Sequence, residues 1–193
     1  MPAHDSPEPP ASGIPAFERT FLNVTLRTAS AFMSDNRALN KFVRESETLL
    51  ALVDDCDYDQ ASHPVLIPRY QGMEHSSRKW SLFMVLEHLC LVNRDVLRTI
   101  DLLKSHVVPR GEIDTADYKP DPASGAEMID QFRDMSWNFD GAIRKLMPLR
   151  GTPGFTHPWF GSFNAHDWLC FAAFHQAIHR KQAFKILALL GRA

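Results

Sequence analysis

The feature that most constrains this chain is the spacing of its apolar residues. They recur at three- and four-residue steps through most of its length and nowhere alternate in period two between hairpin turns. Such spacing gives helices with one apolar face each and predicts no sheet. After Ile14 come Phe17, Phe21, Val24 and Phe32, then Leu39, Phe42, Val43, Leu49, Leu50 and Val53 beyond a Ser34 cap, a pattern of two helices or one bent helix. Residues 55 to 80 lack a period and form a long connection, with a short extended piece between Pro64 and Pro68. Ser81, flanked by Trp80 and Val85 at the positions of a hydrophobic staple, starts a helix that runs to about His106. Residues 107 to 123 hold three prolines and a glycine and make a linker. Ser124 and Glu127 have the spacing of a capping box ahead of Met128, Phe132, Met135, Phe139, Ile143 and Leu146. A Gly/Pro-rich break follows, and Asn164 caps a last helix that ends at Gly191.

Four long helices with one apolar face each are buried most simply against one another, as an all-α four-helix bundle, with room for an extra N-terminal helix. The linker 107 to 123 is long enough to cross the bundle, so the helices on its two sides can lie parallel, and a loop of that length is often functional. Residues 1 to 13, Pro-rich and polar, read as a flexible tail ahead of a single domain spanning 14 to 193.

At 193 residues, a domain buries about 70% of the surface its unfolded chain exposes. Neither disulfides nor a metal are then needed merely to fold, and any metal serves a function. With 21 basic against 23 acidic residues, the formal net charge of -2 offers no footprint for nucleic acid or an anionic membrane. The acidic N-terminus is unlike a secretory signal, and charges interrupt every apolar run before it reaches a membrane span. Cys56, Cys90 and Cys170 are odd in number and widely spaced, which fits a reducing, cytoplasmic setting.

Nine histidines stand out, and their helix faces separate them. His175 and His179 lie one turn apart on the face of the last helix that carries Trp168, Phe171, Ala172, Ala183 and Ile186. An H-x-x-x-H pair alone is read more simply as two histidines bonded to carbonyls or neighbouring side chains than as metal ligands. His88, however, falls on the line of Val85, Val92 and Val96, again a buried stripe. Three inward imidazoles from two helices match the ligand count of a three-histidine metal site with an open position. Glu87 is about 100° round the helix from His88 and is a surface or supporting residue. Cys90 and Cys170 face elsewhere. The Glu-x-x-His pairs of di-iron bundles are missing, and Gln176 stands where a zincin carries its general-base Glu. Gln182 and Asn93 are candidates to orient the ligands, with a solvated or locally bonded role as the alternative. His157 reads as a turn residue packed on Trp159 or Phe160. His4, His63, His75, His106 and His166 receive no role. No phosphate-binding loop, nucleophile elbow or basic-aromatic stripe occurs.

The blocks WSLFMVLEHL at 80 to 89 and HPWFGSFNAHDWLCFAAFHQAIHRKQ at 157 to 182 resemble the DinB-like superfamily of metalloenzymes. The resemblance extends in helix order over about 14 to 190. It implies an up-down-down-up bundle with a long crossover between its second and third helices, and a metal triad at His88, His175 and His179. It also implies a divalent ion, zinc or nickel, that activates a low-molecular-weight thiol or water for S-transfer or hydrolysis on a small molecule. The alternative is a non-catalytic, dimerising, stress-responsive metal-binding bundle. Arg180 is the one charged candidate near the mouth, and a homodimer through helix faces is a further expectation.

Overall fold

The computed structural model describes residues 13–191, so the expected tail lies, apart from Gly13, outside the described residues. The helices are α1 (Ala16–Phe32), α2 (Asp35–Asp54), α3 (Tyr58–Ser62), α4 (Leu82–Lys104), α5 (Glu127–Leu146) and α6 (Ala165–Leu189). Ser34 separates the first two: Met33 is extended, and the Ser34 hydroxyl accepts the Arg37 N–H at 3.3 Å. At the start of α4 the Ser81 hydroxyl accepts from the Met84 N–H, and Asn164 with Asp167 closes a full capping box on α6. These caps satisfy amide groups that a helix leaves without partners at its N-terminus.

Helices α2, α4, α5 and α6 form the bundle, and polar contacts fix their directions. Asp35 meets His166 at 2.5 Å, the Gln176 amide donates to Ser46 Oγ at 2.8 Å, and Arg180 donates to Glu45 at 2.5 Å. Helices α2 and α6 are therefore parallel. Phe42 stacks on Phe139 at 4.2 Å and Asp54 pairs with Arg133, which sets α5 antiparallel to α2. Between α4 and α5 the N-terminal ends are tied by Glu87, which accepts from the Asp121 N–H and the Ser124 hydroxyl. Their C-terminal ends are tied by Lys104, which donates to the Pro148 carbonyl at 2.6 Å. The order is up, down, down, up, and residues 105–126 cross the length of the bundle to keep α4 and α5 parallel.

Three expectations need correction. Two short antiparallel hairpins exist, β1 (Val65–Leu66) with β2 (Lys79–Trp80) and β3 (Phe155–His157) with β4 (Gly161–Phe163). They are too short to show alternation in the sequence. The Ser124–Glu127 capping box does not form: the Ser124 hydroxyl goes to Glu87, and the Glu127 carboxylate accepts from the Gly125 N–H instead. Most consequentially, α1 is turned over. Glu18, Leu26 and Ser30 are buried, while Phe17, Phe21, Val24 and Phe32 face outward.

Polar contacts explain the inversion. The Glu18 carboxylate accepts from Arg69 at 2.6 Å and from the Gly72 N–H at 2.5 Å. Ser30 donates to Asp167, and Arg27 donates to the Phe160 carbonyl at 2.8 Å. Gly72, at φ +90°, is required where the chain passes Ile178, because a Cβ there would lie 2.9 Å from the Ile178 Cδ1.

The Phe42–Phe139 stack lies in the fully buried core between α2 and α5. Phe42→Ala is expected to cost about 3–5 kcal/mol in urea unfolding. The control Trp137→Ala, on the outer face of α5, is expected to stay within about 0.5 kcal/mol.

Candidate metal centre

His88 sits in the second turn of α4, and His175 and His179 lie in the middle of α6. The antiparallel packing of these two helices brings the three rings together, and one ligand nitrogen of each lies within 4.8 Å of the others. His175 Nε2 is 3.3 Å from His88 Nε2 and 3.0 Å from His179 Nε2. Three nitrogens bound at the usual zinc distance in a tetrahedron stand about 3.3 Å apart, so the spacing fits a single ion.

Proton positions follow from the outer partners. His88 Nδ1 is 2.6 Å from the Tyr118 carbonyl, which can only accept, so the proton is on Nδ1 and the Nε2 lone pair points inward. His179 Nδ1 donates to the Gln182 Oε1 at 2.7 Å; the Gln182 amide is oriented by its own donation to the Ser77 carbonyl at 2.8 Å. His175 has no such partner. Its Nδ1 is buried without an acceptor among the described residues, and its ring is held by stacking on Phe171, centroids 5.3 Å apart. Trp80 stacks on His179 and tilts against His88, closing the side of the triad.

Burial lowers the pKa of His88 to about 4, with the nearby Lys119 charge adding to the effect against the Tyr118 hydrogen bond. Burial and the neighbouring imidazoles push His175 and His179 well below the ordinary value. At neutral pH the Nε2 lone pairs of His88 and His179 therefore face the centre, and His175 Nε2 lies within reach of both, so that a cation there would take all three nitrogens at once. Three neutral nitrogen donors at this spacing could hold one divalent ion.

The triad lines a cavity of about 390 Å³. Its walls include Val92 and Val96 of α4, Phe171 of α6, Phe155 and Trp159 of the hairpin, and Ile113 of the crossover. His157 also lines it. As expected from its turn, this ring packs on Phe160 at 4.8 Å and accepts the Trp159 N–H on Nδ1, and burial brings its pKa to about 3. Nearby, Lys119 and Glu74 form a pair in which Lys119 also donates to Ser76 at 2.6 Å.

Of the remaining sequence candidates, Gln182 does hold the ring of His179. Asn93 does not: fully buried, it borders a second cleft between α4 and α5, and neither atom of its amide has a protein partner among the described residues. Arg180 is turned to Glu45 and does not line the cavity. Glu87 supports the crossover. Nothing in the sequence marks the Tyr118 carbonyl, because a backbone acceptor has no residue signature. His166, whose place in a helix's first turn suggests no role, is fully buried. It bonds Asp35, lies 3.0 Å from Arg150, and clamps α6 to α2 away from the cavity.

Residues 41–183 match the family profile described as the DinB superfamily. Among solved structures, the chain is similar to TT2238, a four-helix bundle protein, at 26% identity and a TM-score of 0.55, covering 77% of this chain and 96% of that one. It is also similar in fold to YfiT from Bacillus subtilis, described as a probable metal-dependent hydrolase with an unusual four-helix bundle topology. That likeness has 13% identity and a TM-score of 0.59, and covers 97% of this chain and 96% of that one. No match is found among curated proteins.

Two outcomes follow from the geometry. Gln182→Leu removes the acceptor that orients His179 and is expected to weaken divalent-ion affinity by about 10–100-fold in a competitive titration. Metal-free protein is expected to lose stability on acidification. The unfolded chain takes up protons near the ordinary imidazole value of 6.5, whereas folded His88 does so only at about 4. The contribution is therefore complete above 6.5 and drains away as pH falls through that interval. Melting temperature against pH, compared with His88→Asn, checks it.

Proposed function

We propose, on the premise that the chain belongs to the DinB superfamily, that it is a metal-dependent enzyme acting on a small molecule. His88, His175 and His179 hold a divalent ion, zinc or nickel, and the reaction is a thiol-dependent S-transfer or a hydrolysis. The observation that carries this is the convergence of three Nε2 atoms, two of them with their lone pairs turned inward by outer hydrogen bonds, on the wall of a cavity large enough for a small substrate. When bound, such an ion lowers the pKa of a thiol or water in its open position and supplies a nucleophile at neutral pH.

The protein's own part is positioning and exclusion. Tyr118 and Gln182 fix two of the ligand rings through their Nδ1 protons, so their Nε2 atoms are held ready. The aromatic wall of Phe155, Trp159 and Phe171 favours an apolar body on the electrophile and excludes water around it. A low-molecular-weight thiol is the proposed co-substrate, and a reducing cytoplasm the proposed setting.

A non-catalytic metal-binding role is the second possibility, and one observation favours it. Lys119 and Glu74, which line the cavity, are engaged with each other, and Arg180 is engaged with Glu45. On that view the ion stabilises the fold by binding only the folded chain.

Purified protein is expected to carry one divalent ion per chain by elemental analysis and to turn over model electrophiles only when a thiol or water can act as nucleophile. His175→Ala should lose both properties. Chelation should leave far-UV helicity nearly unchanged, since the bundle has its own core. Stoichiometric metal with no turnover across a broad electrophile screen, together with a His88→Ala variant altered only in melting temperature, would establish the non-catalytic role.

A further inference from the structure

One ring on the cavity wall has its hydrogen bonding settled on one side and open on the other. His157 ends β3, opposite Gly161 of β4, and begins the turn that carries Pro158, Trp159 and Phe160. Its Nδ1 is 3.1 Å from the Trp159 backbone nitrogen, a group that can only donate. Nδ1 is therefore the acceptor, and the one proton of the uncharged ring is on Nε2.

The surroundings keep that state. Burial brings the pKa to about 3, so the ring is uncharged at neutral pH. Phe160 and Phe171 pack on it at 4.8 and 4.7 Å and Trp168 at 5.4 Å. The hairpin is anchored in turn, because Arg27 of α1 donates to the Phe160 and Ser162 carbonyls at 2.8 and 3.2 Å.

Nε2 has no hydrogen-bond partner among the described residues. It is nevertheless not one of their sealed, unpartnered atoms, which include Trp168 Nε1 and His175 Nδ1. The ring lines the same cavity as the triad, so its N–H opens into that space. Phe171 lies between the two, its centroid 4.7 Å from that of His157 and 5.3 Å from that of His175. One small molecule can therefore reach both.

We propose that the Nε2–H of His157 holds the carbonyl oxygen of the substrate, which makes the substrate an acyl compound, an ester or thioester with an apolar body. This rests on the metal-dependent reading above. A donor without charge, set in an aromatic wall, suits an oxygen that is neutral in the bound substrate and turns negative during reaction. A thiolate or hydroxide adds to the carbonyl carbon, forming the new S–C or O–C bond, and the π pair moves onto that oxygen. The Nε2–H bond strengthens to it while the proton stays on the ring. The pair then returns as the leaving group departs with its bonding electrons and takes a proton from water.

Three measurements on the full chain test this. Long-range proton–nitrogen correlation spectra of metal-free protein are expected to show His157 protonated at Nε2 and not at Nδ1, unchanged as pH falls through 6.5. The carbonyl stretch of acetophenone bound to metal-free protein should move to lower frequency in the wild type and in His157→Gln, whose amide can donate from the place of Nε2. In His157→Phe it should return to its value in hydrocarbon, while toluene, which has no acceptor, binds all three alike. In zinc-loaded protein, kcat for p-nitrophenyl acetate should fall about 100-fold in His157→Phe with KM little changed, and recover in part in His157→Gln. A proton on Nδ1, acetophenone that does not bind, or a stretch equal in wild type and His157→Phe overturns the proposal. Thiol-dependent turnover of chlorodinitrobenzene but of no ester also overturns it and leaves the metal-dependent reading standing. An acetophenone shift with no turnover of any electrophile overturns that reading and leaves the carbonyl contact standing.

Discussion

Two hydrogen bonds made away from the centre, from His88 Nδ1 to the Tyr118 carbonyl and from His179 Nδ1 to Gln182, decide what the centre is. An imidazole in an apolar core has one proton to place, and an outer acceptor commits it. Once both outer nitrogens are committed, the inner nitrogens of His88 and His179 can only accept, and His175, which has no outer acceptor among the described residues, stands within reach of both. Burial prevents a second protonation from relieving them. The bundle thereby holds a cluster of nitrogen acceptors that could take a cation, and that cluster lines its cavity.

The crossover is part of this construction. Its Tyr118 carbonyl orients His88, the Tyr118 hydroxyl donates to Asp95 at 2.7 Å, and Lys119 beside it bonds Glu74. The segment that lets α4 and α5 run parallel is thus also a wall of the cavity and a support for one imidazole of the triad. A short hairpin loop would have made those helices antiparallel and left His88 without its outer acceptor. Topology and ligand geometry are two results of the same chain path.

Much of this was legible in the sequence because it rests on side chains with local signatures. Ser34, Ser81 and Asn164 each cap the helix their spacing announced, and the three histidines the helix faces single out meet in one place. What was hidden depended on partners distant in sequence. The apolar stripe of α1 was visible, but periodicity reports that a helix has two faces and not which one turns inward; Glu18 meeting Arg69 and Gly72 settled that. Ser124 had the pattern of a cap, yet Glu87 on another helix took its hydroxyl. His166 looked like a helix-end residue until Asp35 and Arg150 closed around it. Tyr118 contributes a carbonyl, which any residue could carry.

The parallel pairing of α2 with α6 carries a consequence in time. Asp35 waits for His166, Glu45 for Arg180 and Ser46 for Gln176, all across more than half the chain. Such distant pairings cost loop-closure entropy before they return any stabilisation. During synthesis, α2 therefore emerges long before the surface it packs on. Among the described helices α6 leaves the ribosome last, and it supplies both that surface and two of the three imidazoles, so the closed bundle and the histidine cluster come into being together.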